Sequence, residues 1–299
     1  MRNSISGIVR GGMALLVLGS FVACSSEQIT SAPVVAGTPA DTTVVDSTSS
    51  AVALRGNEPS GFLKLADNDW LGFSPSAPAL GKTLLSWTRY AKGNTGRAVV
   101  DALAPGDPDA LEVLFSGKQG VGPEHMSVTI PKGNSRLYLS VPVWVPTTYV
   151  GSSSGVQKLF HLWAPIDKSI NSTIGGSMVV PAIFGTLSKG LRAQLRIQNA
   201  TVTSTQATSF NLTGGSVQRG QWYVYEYLFV LNTGSTANGE AHMWVNGVKA
   251  VTKTNITYSG ATRAKTWTVL QLNPTYGGTG TVPTGTKIRY GRIYLSVAP

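Results

Sequence analysis

Glu240-Ala241-His242-Met243-Trp244-Val245-Asn246-Gly247 decides the fold class of this chain. Ala241, Met243 and Val245 alternate with Glu240, His242 and Trp244, the period of two that a strand with one buried face requires. The run ends in Asn246-Gly247, a dipeptide suited to the left-handed central positions of a two-residue hairpin turn. Val248 onward is therefore expected to return as the partner strand. Upstream, residues 222–231 are apolar on both faces apart from Glu226, as a central strand would be. Further upstream, Arg192-Ala193-Gln194-Leu195-Arg196-Ile197-Gln198 alternates strictly. It should present Arg192, Gln194, Arg196 and Gln198 on one face of a sheet, away from the core.

The same pattern extends outward. The 34 Gly and 16 Pro residues punctuate short alternating runs, and no segment carries a capped apolar stripe of helical period. Strands are expected at 111–115, 136–145, 156–163 and 288–297, with Pro142 marking an edge or a bulge. The sole cysteine, Cys24, leaves nothing for a disulfide, so stability must come from a core. The formal charge of +10 suits a polyanionic partner. No Lys/Arg block of the length a nucleic-acid arm needs is present, so nucleic acid is set aside.

The N-terminus carries a second signal. Arg2 and Arg10 precede the apolar run Met13-Ala14-Leu15-Leu16-Val17-Leu18, which leads through Gly19-Ser20 to Phe21-Val22-Ala23-Cys24. The run is shorter than the roughly 20 apolar residues of a membrane span. It resembles the bacterial lipoprotein signal, in which Cys24 becomes the lipidated first residue, with Phe21 standing where a leucine is usual. That resemblance implies export and lipid anchoring to the cell envelope, at the outer membrane or cell surface. The chain then divides into a signal peptide (1–23), a disordered Ser/Thr-rich tether (24–53) and a carbohydrate-engaging β-sandwich (54–299). The tether is too poor in large apolar side chains to offset its ordering entropy.

Four fragments together carry a family resemblance: Gly220-Gln221-Trp222-Tyr223-Val224-Tyr225-Glu226, Asn232-Thr233, Asn238-Gly239-Glu240 and Met243-Trp244-Val245-Asn246-Gly247. They resemble the paired strands of concanavalin A-like jelly rolls, among them laminin G-like modules and several polysaccharide lyases. In those, a W…E strand precedes a G…WV(D/N)G hairpin. The resemblance runs from about residue 110 to the C-terminus. It implies an all-β fold of two stacked antiparallel sheets, a β-sandwich with glycan bound across one concave face.

Chemistry is less plainly written. Glycoside hydrolysis needs two carboxylates; the Glu-x-Asp-x-x-Glu string of the family's glucanases is missing and Glu226 stands alone on its strand. A lyase acting on a polyuronate needs a group to neutralise the carboxylate, a base and an acid. Arg196, His161 and Tyr138 are the catalytic candidates for that alternative. His161 and Lys158 lie three positions apart, so strict alternation puts them on opposite faces. His161 is preferred to Lys158 and grouped with Gln157, Leu159 and Trp163, but a satisfied structural role is the stronger reading of a lone histidine on a mostly apolar strand. For binding, Gln194, Arg196, His242, Trp244, Glu226, Gln271 and Asn273 are the candidates, with Trp163, Trp267 and Tyr276 as further stacking rings. Trp244 is expected to be exposed, because its neighbours already fill the core side.

The three histidines, at 125, 161 and 242, have no ligand spacing, so no metal site and no cofactor are expected. A structural calcium on loop carbonyls and Asp167 or Asp69 is compatible with the family. These readings converge on an exported, membrane-tethered protein that binds a polysaccharide of anionic chemistry through a jelly roll. The alternative is a lyase that cleaves a uronic-acid polymer by β-elimination, and a third class is an adhesion module with a protein partner.

Overall fold

Alternating runs pair with one another throughout the chain, and among the described residues there are strands and turns but no helix. The computed structural model describes residues 53–71, 73, 83–84, 86–90, 95–152, 154–164, 177–198, 200–201, 209–258 and 266–299. The described residues all fall within one compact unit, Ser49–Pro299. The leader, Cys24, nearly all of the 24–53 tether, and Asp167 lie outside the described residues.

The strands in chain order are β1 (Leu63–Asn68), β2 (Thr83–Leu84), β3 (Trp87–Arg89), β4 (Gly96–Val100), β5 (Asp109–Leu114) and β6 (Met126–Thr129). There follow β7 (Arg136–Val145), β8 (Val156–Ala164), β9 (Ser177–Thr186), β10 (Gly190–Gln198), β11 (Ala200–Thr201) and β12 (Ser209–Val217). The last six are β13 (Gln221–Val230), β14 (Gly239–Val245), β15 (Val248–Tyr258), β16 (Val269–Tyr276), β17 (Lys287–Tyr290) and β18 (Ile293–Ala298).

They form two antiparallel sheets. A ten-stranded sheet runs β11-β15-β14-β13-β7-β17-β5-β4, with β18 also on β7 and β1 on β18. An eight-stranded sheet runs β12-β10-β9-β8-β16-β6-β3-β2. The core lies between them, since alternate residues of both sheets join one apolar cluster. Leu137, Leu139, Val141, Val143 and Val145 come from β7; Leu191, Ala193, Leu195 and Ile197 come from β10. On β13 the inward positions are all aromatic, and Tyr225, Tyr227 and Phe229 stack in a column with centroids 6.3 and 5.9 Å apart.

The hairpin that opened the sequence reading is present. Val245 pairs with Val248, and Asn246 and Gly247 take positive φ of 51° and 76°. β13 is central, between β7 and β14. Pro142 departs from expectation, because β7 is neither an edge strand nor bulged there. Its neighbour on one side changes at that point from β17 to β18, so the missing N–H falls in the gap between two pairings.

Candidate functional site

The residues that β10 turns away from the core are Arg192, Gln194, Arg196 and Gln198, as its alternation requires. Cross-strand pairing carries this outer face over the whole eight-stranded sheet, because directly paired residues share a side. One transverse row reads Asn211, Arg196 and Val180 on β12, β10 and β9. On the other side of β8 it continues as His161, Gln271, Ser127 and Thr88. The next row reads Thr213, Gln194, Ala182, Lys158 and Thr275.

Lys158 joins this face through a β-bulge. Between Lys158 and Leu162 the pairing of β8 with β9 shifts by one residue, and Leu159 and Phe160 both enter the core. The extra residue cancels the three-position offset, so Lys158 and His161 emerge on the same side. Sequence alternation had separated them, and the bulge corrects that reading. Leu159 correspondingly leaves the group assigned to His161.

Several polar atoms of this face are shielded from solvent yet have no partner among the described residues: His161 Nδ1, Gln271 Nε2, Ser127 Oγ and His125 Nε2. His161 is 7% exposed and Gln271 3%. The competing reading of a satisfied structural histidine would give His161 Nδ1 a partner, and among the described residues it has none. The Gln271 amide is held by Trp163, whose Nε1 donates to Gln271 Oε1 at 2.8 Å, leaving the amide NH₂ free to bind. Trp163 in turn stacks on the His161 ring, 6.5 Å between centroids.

On this outer face the strands carry charge of one sign, the Arg89–Glu124 ion pair being buried on the inner side. No strand of the eight-stranded sheet bears an Asp or Glu. Lys158 and Arg196 have no carboxylate partner among the described residues, whereas Arg97, Lys287 and Arg289 of the other sheet all converge on Glu112. Burial pushes the Lys158 ammonium below its usual range, and the nearby Arg196 charge adds to the shift. Burial, with Lys158 and His125 alongside, pushes His161 down to about 3, so its ring is neutral at any physiological pH. A neutral imidazole, a free amide and a guanidinium in one row can receive a carboxylate.

No protein-family model and no curated protein matches the sequence. Solved structures match the fold. A variant of alginate lyase Aly36B, solved with an alginate trisaccharide, is 17% identical with a TM-score of 0.53, over 78% of this chain and 98% of that one. The endo-β-1,4-glucuronan lyase of the fungus Trichoderma reesei is 12% identical with a TM-score of 0.50, over 79% and 96%. The endo-1,3-β-glucanase of Streptomyces sioyaensis is 12% identical with a TM-score of 0.50, over 81% and 99%. The fold is a concanavalin A-like jelly roll.

The jelly roll brings together one part of the sequence-derived set and removes another. Arg196, Gln194, His161 and Gln271 share the outer face of the eight-stranded sheet, and Asn273, half-buried, follows Gln271 two positions along β16. Tyr138, Glu226, His242 and Trp244 lie on the outer face of the ten-stranded sheet, across the core. There Glu226 is fully buried, accepting from Asn57 N, Asn57 Nδ2 and the Tyr138 hydroxyl. His242 Nε2 lies 2.7 Å from Glu240 Oε2. Trp244 is not exposed. It is 8% accessible, flanked by His242 and by Lys249, whose Nζ lies 5.3 Å from the ring centroid. Trp267 and Tyr276 are core residues.

Of the residues gathered on this face, the sequence reading set Lys158 aside in favour of His161 and did not place Ser127 or His125 there. A signal for the first was available: two large apolar residues between Lys158 and His161 is the signature of a bulge on a half-buried strand. Asp69 Oδ1 accepts from Leu71 N, and among the described residues no group of three or more His, Cys, Asp or Glu could hold a metal ion.

Proposed function

We propose that this domain binds a uronic-acid polymer on the outer face of its eight-stranded sheet and cleaves it by β-elimination. The observation that carries the reading is the row Arg196–His161–Gln271–Ser127, with shielded, unpartnered polar atoms and Lys158 one row away. The sequence alone favoured binding over cleavage. A displaced lysine beside a neutral histidine favours the lyase, as does the fold shared with alginate and glucuronan lyases.

In this mechanism the uronate carboxylate sits against the Arg196 guanidinium and the Gln271 amide, with His161 donating from Nδ1. Neutralising that carboxylate acidifies the adjacent C5–H. The free amine of Lys158 takes the C5 proton, the electron pair forms the C4=C5 double bond, and the C4–O bond breaks. The leaving oxygen takes a proton back from the Lys158 ammonium, so one residue serves as base and then as acid. Hydrolysis by a carboxylate pair finds no such pair on these strands.

Alginate and glucuronan, supplied separately, test the proposal through the ultraviolet absorbance of the unsaturated uronide. Lys158→Met and Arg196→Ala should each lower kcat/KM by about a hundredfold or more. Retention of polymer with no absorbing product from any polyuronate would overturn cleavage and leave a binding module.

We further propose that the domain is exported and tethered through a lipidated Cys24, which the leader residues Arg2 to Cys24 support. Metabolic labelling with palmitate should mark the full chain and not Cys24→Ser; equal labelling of both would exclude this anchor.

A further inference from the structure

Beyond the two rows just described, the outer face continues to a third. Phe184 on β9 pairs with Arg192 on β10 and with Val156 on β8. A pocket of about 450 Å³ opens there, lined among others by Phe184, Lys189, Arg192 and Thr213. Three features make it unlike an ordinary strand end. Phe184 is 39% exposed on an otherwise shielded strand, and its ring rests against Gly155, where an added Cβ would lie 3.4 Å from the ring edge. Arg192 and Lys189 are exposed and, among the described residues, have neither a carboxylate partner nor a hydrogen bond from their side chains. No acidic residue lines the cavity.

The row is also at a meaningful distance. Four residue steps along β9 separate Val180, in the His161 row, from Phe184, which is roughly 13 Å of extended strand. One pyranose ring cannot bridge that span. The residue between them on this face is Ala182, whose small side chain keeps the floor low. Thr213 ties the two regions together, since its Oγ1 accepts from Gln194 Nε2 at 3.3 Å.

We infer that Phe184, Lys189 and Arg192 form a remote subsite for a second uronate unit of the same polymer. The aromatic ring meets the apolar C–H face of the sugar, and the two cations receive its carboxylate. This inference rests on the polyuronate reading of the central rows and deepens it: a chain long enough to reach both places is the preferred ligand, which favours attack within long polymers.

The test compares uronate oligomers of graded length. In the double variant Lys189→Ala/Arg192→Ala, KM for long oligomers should rise about tenfold, while kcat and the KM for the shortest cleaved oligomer stay unchanged. Phe184→Ala should act in the same length-dependent way. A change that is equal on short and long oligomers, or no change at all, overturns the subsite. Calorimetric binding of the same oligomers, measured in a Lys158→Met background, separates this outcome from failure of the lyase reading. Affinity that grows with oligomer length and loses that growth in the triple variant sustains the subsite even without cleavage. Affinity independent of length refutes it.

Discussion

His161 and Lys158 are three residues apart in sequence and carry opposite consequences for pH. The folded His161 takes its proton only near pH 3, against an ordinary 6.5, because burial disfavours its charged form. Between those values the unfolded chain binds more protons than the folded one, so stability falls as the pH drops through that window. Glu112 adds a lower window. Burial raises its carboxyl, but hydrogen bonds from Arg97, Arg289 and Lys287 outweigh that and hold it at about 2, below its ordinary 4.5. Its contribution is present above 4.5 and is lost as the pH falls toward 2. Denaturant melts across the acid range should show both losses, and His161→Asn should remove only the upper one. Activity obeys a different group. The Lys158 amine must be free, so kcat/KM should climb with pH through a titration below 10.5, and His161→Asn should leave that limb in place. A limb that disappears with His161 would assign the base to the imidazole instead. Arg196, Gln194 and Gln271 were legible in the sequence because β10 and the first half of β16 alternate without interruption. Lys158 was hidden because a single inserted residue reverses side, and periodicity counts positions rather than pairings.

At the scale of the element, alternation tells which side of a strand is buried but not which sheet the strand joins. β14 shows the consequence. Its hairpin, its inward Ala241, Met243 and Val245, and its outward His242 and Trp244 all follow from the sequence. Its place in the ten-stranded sheet does not, and it sets Trp244 on the far side of the core from Arg196. The same long-range choice removed Tyr138 and Glu226 from the site, where the 54–58 segment covers them instead. Trp244 covers its neighbours on that face, so Trp244→Ala should cost about 3 kcal/mol of stability in a denaturant melt. It should leave glycan affinity and kcat/KM unchanged. Loss of affinity from a still-folded Trp244→Ala protein would place a second glycan contact on the ten-stranded sheet.

At the scale of the whole molecule, the carboxylates on the described strands are sorted by sheet, while cations stand on both. The sequence holds 24 Lys and Arg against 14 Asp and Glu, a surplus read at first as a general affinity for polyanions. The folded chain sets part of it apart from the acids. Carboxylates on the strands occur in the ten-stranded sheet, where Asp67 meets Arg292 and Glu112 meets three cations. The eight-stranded sheet keeps Lys158, Arg192 and Arg196 without acidic neighbours on any of its strands. Burial disfavours the charged forms of Lys158 and His161, neighbouring positive groups add to that, and a bound polyanion would offset the positive potential that Arg192 and Arg196 contribute. Composition could reveal the surplus but not its sorting, because strands from distant parts of the chain are interleaved in both sheets. Attraction of this kind is screened by salt. Raising ionic strength from about 0.05 to about 0.5 M should weaken polyuronate binding by about tenfold, while a neutral β-glucan should show no salt-dependent binding at any ionic strength. Arg196→Gln should flatten the salt dependence, and Lys253→Gln, on β15 of the opposite sheet, should not. Equal flattening by both substitutions would mean that net charge, not the acid-free sheet, attracts the polymer.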